Sequence, residues 1–203
     1  MKRVLIASLI ALSIALFTST AVLYSSELFA QTSPAVAADQ KVQSVALFMQ
    51  MHPVLSHPRC VNCHPRDDTP KQGLERRVHS PPITRGPKND GPVGLACSAC
   101  HQTANYDHAR VPGAPNWHLA PASMAWEGLT AGELCRSMTD RAKNGNKSLQ
   151  DTVRHLTDDK LVAWGWTPGI DLNGKARQPV PLAKEEFNRI VVAWAQTGGA
   201  CPD

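Results

Sequence analysis

Large aromatic side chains are few in this 203-residue chain, which holds only four Phe and two Tyr. Aromatic rings supply much of the buried area of an ordinary core, so the chain is expected to recruit apolar mass from beyond its own side chains. It also lacks a strong charge of either sign, with 21 Lys+Arg against 17 Asp+Glu. No clustered basic surface of the kind that binds nucleic acid follows from that balance. Beyond the N-terminal segment no apolar run is long enough to span a bilayer. No βαβ pattern surrounds the cysteine pairs, which speaks against a thioredoxin-type redox motif.

What the chain does have is turn formers. All 16 prolines and all 13 glycines lie beyond residue 30. Before them, Lys2 and Arg3 form a short basic region, and Val4 to Phe17 is an apolar run followed by small residues. That is the pattern of a secretory signal peptide, with cleavage expected after Ala30 or, as an alternative, Ala37. Val4 to Leu23 carries no charge and is long enough to span a membrane if left uncleaved. The expected organisation is a signal or anchor over 1–30, a flexible leader over 31–38 and one domain over 39–203. Without Lys2, Arg3 and Glu27 the mature chain holds 19 basic and 16 acidic residues, a net +3.

Four of the six cysteines stand in two copies of one signature, Cys60-Val61-Asn62-Cys63-His64 and Cys97-Ser98-Ala99-Cys100-His101. C-x-x-C-H is the attachment site of c-type haem. Two thiols add across the porphyrin vinyl groups, and the histidine that follows binds the iron as proximal ligand. Cys60, Cys63, Cys97 and Cys100 are thus candidate thioethers, and His64 and His101 candidate proximal ligands of two haems c. Covalent haem attachment in bacteria takes place outside the cytoplasmic membrane, so an export signal and these motifs belong together and point to the periplasm. The alternative is a Cys₄ zinc site. Against it, 33 residues separate Cys63 from Cys97, beyond the roughly 15–20 of a ribbon, and zinc has no need of a histidine after each pair.

The remaining cysteines, Cys135 and Cys201, form an even leftover pair. In an exported protein this reads as a disulfide, the alternative being two buried free thiols.

Along the chain, Asp39 is placed to cap a helix with Val42, Val45, Ala46 and Met49 on one face, ending at His52-Pro53. Val54 to Cys60 reads as a bend. Pro65 to Gly94 is punctuated by Pro and Gly every few residues and reads as a long loop able to wrap porphyrin faces. Leu95 to Gln102 reads as a short helix and Tyr106 to Pro121 as irregular. Thr130-Ala131-Gly132-Glu133 is a capping box opening a helix through about Lys143. Further helices are expected over Ser148–Leu156 and Asp158–Trp164. A last one carries Phe187, Ile190, Val191 and Trp194 as its apolar stripe and ends at Gly198-Gly199. The fold class is mainly α with extensive irregular loops, built around two covalent haems.

Several runs together resemble a family of small exported bacterial di-haem proteins, often labelled isoquinoline 1-oxidoreductase subunit. They are His57-Pro58-Arg59-Cys60 with its motif, Arg85-Gly86-Pro87, Gly94-Leu95-Ala96 leading into the second motif, and Gly113-Ala114-Pro115-Asn116-Trp117-His118-Leu119-Ala120-Pro121. Trp126-Glu127-Gly128, Trp164-Gly165-Trp166 and Gly199-Ala200-Cys201-Pro202 complete the set. The similarity covers most of the chain after about residue 45. It implies a di-haem cytochrome, and its label implies a cytochrome partner for a molybdenum hydroxylase. Nothing in the chain resembles a molybdopterin or iron–sulfur subunit.

Each iron has a second axial position to fill. Apart from His64 and His101 the chain offers His52, His57, His79, His108, His118 and His155. His79, in the loop between the motifs, and His118, between Trp117 and Leu119, lead as distal ligands; His155 is a third candidate, and Met124 the best sulfur. His52 and His57 precede prolines and crowd the first motif, and His108 lies beside charged residues. Closed His/His irons suit electron transfer, whereas an open iron permits peroxide or gas chemistry. The leading expectation is a single-electron carrier serving a redox partner protein, with a peroxidase-like enzyme or a haem-based sensor as alternatives.

Overall fold

The structure, a computed structural model, describes residues 34–203; the expected signal peptide and the first residues of the expected leader lie outside the described residues. Residues 38–203 gather into one unit, and Pro34–Ala37 are the first turn of the opening helix.

That helix, α1 (Pro34–Leu55), corrects the expected boundaries at both ends. Residues 34–38, expected as part of the leader, are helical, and Asp39 lies inside the helix instead of capping it. Pro53 does not end it. Proline lacks one donor but adopts helical φ, and Ser56 N–H still bonds to His52 O at 2.9 Å. The buried face is also not the expected one. Ser44, Phe48, Met51, Val54 and Leu55 are buried, while Val42 and Met49 are exposed. Apolar residues are scattered all round α1, so the partner surface selects the face, and Phe48 meets Trp194 with ring centroids 5.9 Å apart.

After α1 comes α2 (Pro58–Val61), one helical turn where a bend was expected. The long loop is not wholly structureless: β1 (Lys71–Gln72) and β2 (Arg77–Val78) pair antiparallel, Lys71 opposite Val78. Beyond them the backbone is irregular and tightly crossed. Gly86 has φ +67°, and a Cβ there would stand 1.7 Å from Gly91 O, so only glycine fits.

Four helices follow. α3 (Ala131–Thr139) opens on the expected capping box, with Thr130 and Glu133 bonded reciprocally, but stops short of Lys143. It ends because Asn144 takes over the local carbonyls, donating from Nδ2 to Met138 O and Lys147 O. α4 (Leu149–Asp158) has its own capping box from Ser148 and Asp151. α5 (Lys160–Ala163) is capped by Asp159 and runs into a 3₁₀ turn over Trp164–Trp166. α6 (Lys184–Gln196) buries Phe187, Ile190, Val191 and Trp194, the expected stripe. Gly198 and Gly199 follow it with positive φ.

The core corrects one inference from composition. Phe48, Met51 and Leu55 of α1, Leu134, Cys135 and Met138 of α3 and the α6 stripe pack together with Trp126 and Leu156, all nearly inaccessible to solvent. The helices therefore bury a core of their own, with Trp194, Phe48 and Phe187 as its largest fully buried side chains and Leu, Met and Val packed around them. A disulfide joins Cys135 to Cys201, with the Cα atoms 5.5 Å apart. No helix among the described residues is long and apolar enough to cross a membrane.

Candidate functional site

Both C-x-x-C-H motifs sit in tight helical turns flanking the β1–β2 loop. In the first, His57 accepts from Arg59 N–H through its ring and Pro58 supplies a pre-set φ, which starts α2 at the motif. Cys63 N–H then bonds to Cys60 O at 3.1 Å and His64 N–H to Val61 O at 3.0 Å. In the second, a 3₁₀ turn over Cys97–Ala99 is closed by Cys100 N–H to Cys97 O, 3.2 Å, and by His101 N–H to the same oxygen, 2.9 Å. Residues three apart in such a turn lie over one another. Each motif thus presents its two cysteines on one side, as attachment to one porphyrin edge requires. None of the four thiols is bridged.

The two histidines are held alike. His64 Nδ1 lies 2.7 Å from Met124 O, and His101 Nδ1 lies 2.7 Å from Pro112 O. A carbonyl can only accept, so each Nδ1 carries the proton and each Nε2 keeps a lone pair. Metal-binding histidines are commonly oriented in this way. Each ring is also stacked on a tryptophan, His64 on Trp126 at 3.6 Å and 11°, His101 on Trp117 at 4.5 Å and 6°. Burial pushes His64 down to about 3, against the Met124 hydrogen bond, with His155, Arg85 and His118 adding to the lowering. His101 is lowered by burial as well, and then by His79 and Arg177. Burial pushes the Cys60 thiol up to about 12 and Cys63 to about 11, each helped by a neighbouring cysteine.

One segment connects the motifs. Trp117 packs on His101, and three residues later Ala120 N–H bonds to Cys63 O at 2.9 Å. Buried Arg85 locks the crossing, donating to Asp68 Oδ1 at 3.2 Å, to Asn89 Oδ1 at 3.2 Å and to Ala120 O. His118 lies on this segment with Nδ1 directed to Asn116 O. His155, on α4, has its Nδ1 facing the Asp159 carboxylate at 3.2 Å. His79 stands beside His101, ring centroids 5.8 Å apart.

Met124 is not placed as a sulfur ligand. Its sulfur accepts from Ser137 Oγ in the core at 3.6 Å, while its carbonyl holds His64. Sequence reasoning missed the two stacking tryptophans and the Met124 and Pro112 carbonyls as the groups that orient the histidines. The recurring Trp residues were the available signal; carbonyl direction has none.

The donor set suits haem iron: a neutral imidazole with Nε2 available beside a pair of unbridged thiols, twice over. Among the described residues no three His, Cys, Asp or Glu are grouped so as to hold a bare metal ion. No protein-family model, no curated protein and no solved structure matches this chain.

Proposed function

We propose that this chain is an exported, periplasmic di-haem c-type cytochrome. It carries single electrons between a redox enzyme and an acceptor protein, either free or as the cytochrome subunit of an oxidoreductase. The observation that carries the reading is the matched pair of histidines. Each ends a C-x-x-C-H turn, is fixed through Nδ1 by a backbone carbonyl and rests on a tryptophan face.

Bound haem supplies a ferric–ferrous couple that accepts one electron from a reduced donor protein and passes it to an oxidised acceptor. The chain's own part is attachment and orientation. Cys60 and Cys63 hold one porphyrin, Cys97 and Cys100 the other, with His64 and His101 as proximal ligands. Trp126 and Trp117 fix the imidazole planes and keep water from them. His79, His118 and His155 are the candidates for the distal positions. Electrons, not a bound substrate, are what such a site exchanges, so the partners are redox proteins rather than nucleic acid. An uncleaved N-terminus would tether the protein to the membrane.

The test is maturation of the chain with a cytochrome c assembly system. Two haems should survive acid–acetone extraction, and the Cys60→Ala/Cys63→Ala variant should retain one. Protein isolated with zinc and no iron would overturn the reading.

A further inference from the structure

We infer that His79 is the distal ligand of the iron whose proximal ligand is His101, so that the second haem is closed by two histidines. The inference rests on the di-haem reading above and deepens it.

The two rings already stand at the right separation, with centroids 5.8 Å apart and planes inclined at 65°. Imidazole nitrogens bind metals at about 2 Å, which sets the centroids of two rings sharing one metal roughly 6 Å apart. His79 also repeats the preparation of His101. Its Nδ1 lies 2.8 Å from Pro81 O. That carbonyl makes Nδ1 the protonated nitrogen and leaves Nε2 as the donor atom, as Pro112 does for His101.

The backbone that carries His79 is fastened rather than loose. His79 N–H bonds to Pro70 O at 3.0 Å, and the neighbouring Val78 pairs with Lys71 across the β1–β2 hairpin. The hairpin is in turn pinned to the first motif. Asn62, between Cys60 and Cys63, donates from Nδ2 to Gly73 O at 2.8 Å and accepts from Lys71 N–H at 3.3 Å. The first haem-binding turn therefore anchors the element that closes the second iron.

The other histidines are engaged differently. His57 Nδ1 accepts from Arg59 N–H, and His155 Nδ1 faces a carboxylate. His52 lies on α1 beside Phe48, ring centroids 6.3 Å apart. His118 resembles His79 in its carbonyl-directed Nδ1, but it is the His79 ring that stands beside His101.

The experiment uses matured holoprotein and reads haem count, spin state and carbon monoxide uptake. The parent is expected to be low-spin at the second iron. His79→Ala should keep both covalent haems, turn one of them high-spin and gain one carbon monoxide site per chain in the reduced form. Added imidazole should restore the low-spin spectrum. His79→Met, which keeps a ligand, should stay low-spin and raise the potential of one haem only. His108→Ala, at an exposed residue, should leave the spectrum unchanged. If His79→Ala retains both haems with the parent spectrum, or if His79→Met leaves both potentials unmoved, the assignment is wrong. Absence of covalent haem in the parent would instead remove the di-haem reading itself.

Discussion

Removing the Cys135–Cys201 disulfide should destabilise the protein through its unfolded chain rather than through lost native contacts. The two cysteines are 66 residues apart. Closing a loop of that size removes roughly 4 kcal/mol of chain entropy from the unfolded state. The native tail has fastenings of its own. Arg136 donates to Pro202 O at 2.8 Å, Trp194 Nε1–H to Ala200 O at 3.0 Å, and Ala200 N–H to Ser44 Oγ at 2.8 Å. These persist when the sulfurs are gone, so Cys135→Ala/Cys201→Ala should fold to the same structure. For a domain of this size about 4 kcal/mol corresponds to a Tm lowered by roughly 8–16 °C. Urea unfolding of the matured parent and variant, with the parent repeated under reductant, measures the difference. The reduced parent and the double variant should agree. A loss below about 1 kcal/mol in both would refute the loop-closure reasoning.

Two further outcomes follow from the core and from one helix cap. Trp194→Ala removes a fully buried ring that meets Phe48 and bonds to Ala200 O; it should cost about 3–5 kcal/mol in urea unfolding, and a loss under about 1 kcal/mol would contradict the packing. The Asp159 carboxyl is held down at about 2, chiefly by the hydrogen bond from His155 and also by Leu161 and Val162 N–H, with burial acting against them. Because its folded value lies below the ordinary value of about 3.9, the group stabilises above pH ~4 and that share fades as pH falls through about 2. The stability gap between parent and Asp159→Ala should therefore narrow over that window, and a gap that widened on acidification would reverse the assignment.

The motifs were legible because they are local. C-x-x-C-H needs only a turn, and the turn's own i→i+3 bonds bring Cys60 to Cys63 and Cys97 to Cys100 without tertiary help. The capping box at Thr130, the helix start at Ser148 and the α6 stripe were readable for the same reason. The pairing of Cys135 with Cys201 followed from counting: once four cysteines were set aside, only one partnership remained.

Elsewhere the deciding information lies in residues distant along the chain. Apolar side chains surround α1, and only the position of Trp194, some 150 residues later, determines that Phe48 and Met51 turn inward while Val42 and Met49 face solvent. Helix ends at Leu55 and Thr139 moved because local competitors, a tolerated Pro53 and the carbonyl-bonding Asn144, shift a boundary that periodicity cannot locate. The histidines show the division most sharply. Sequence alone named His79 and His118 as candidates of equal standing, since each lies in an irregular run near a motif. Only the folded chain sets His79 5.8 Å from His101 and sends the His118 segment across to Cys63. The approach of two histidine rings is a relation between two distant loops, and its geometry exists only once hairpin, Arg85 and the Trp117 segment have been packed against each other.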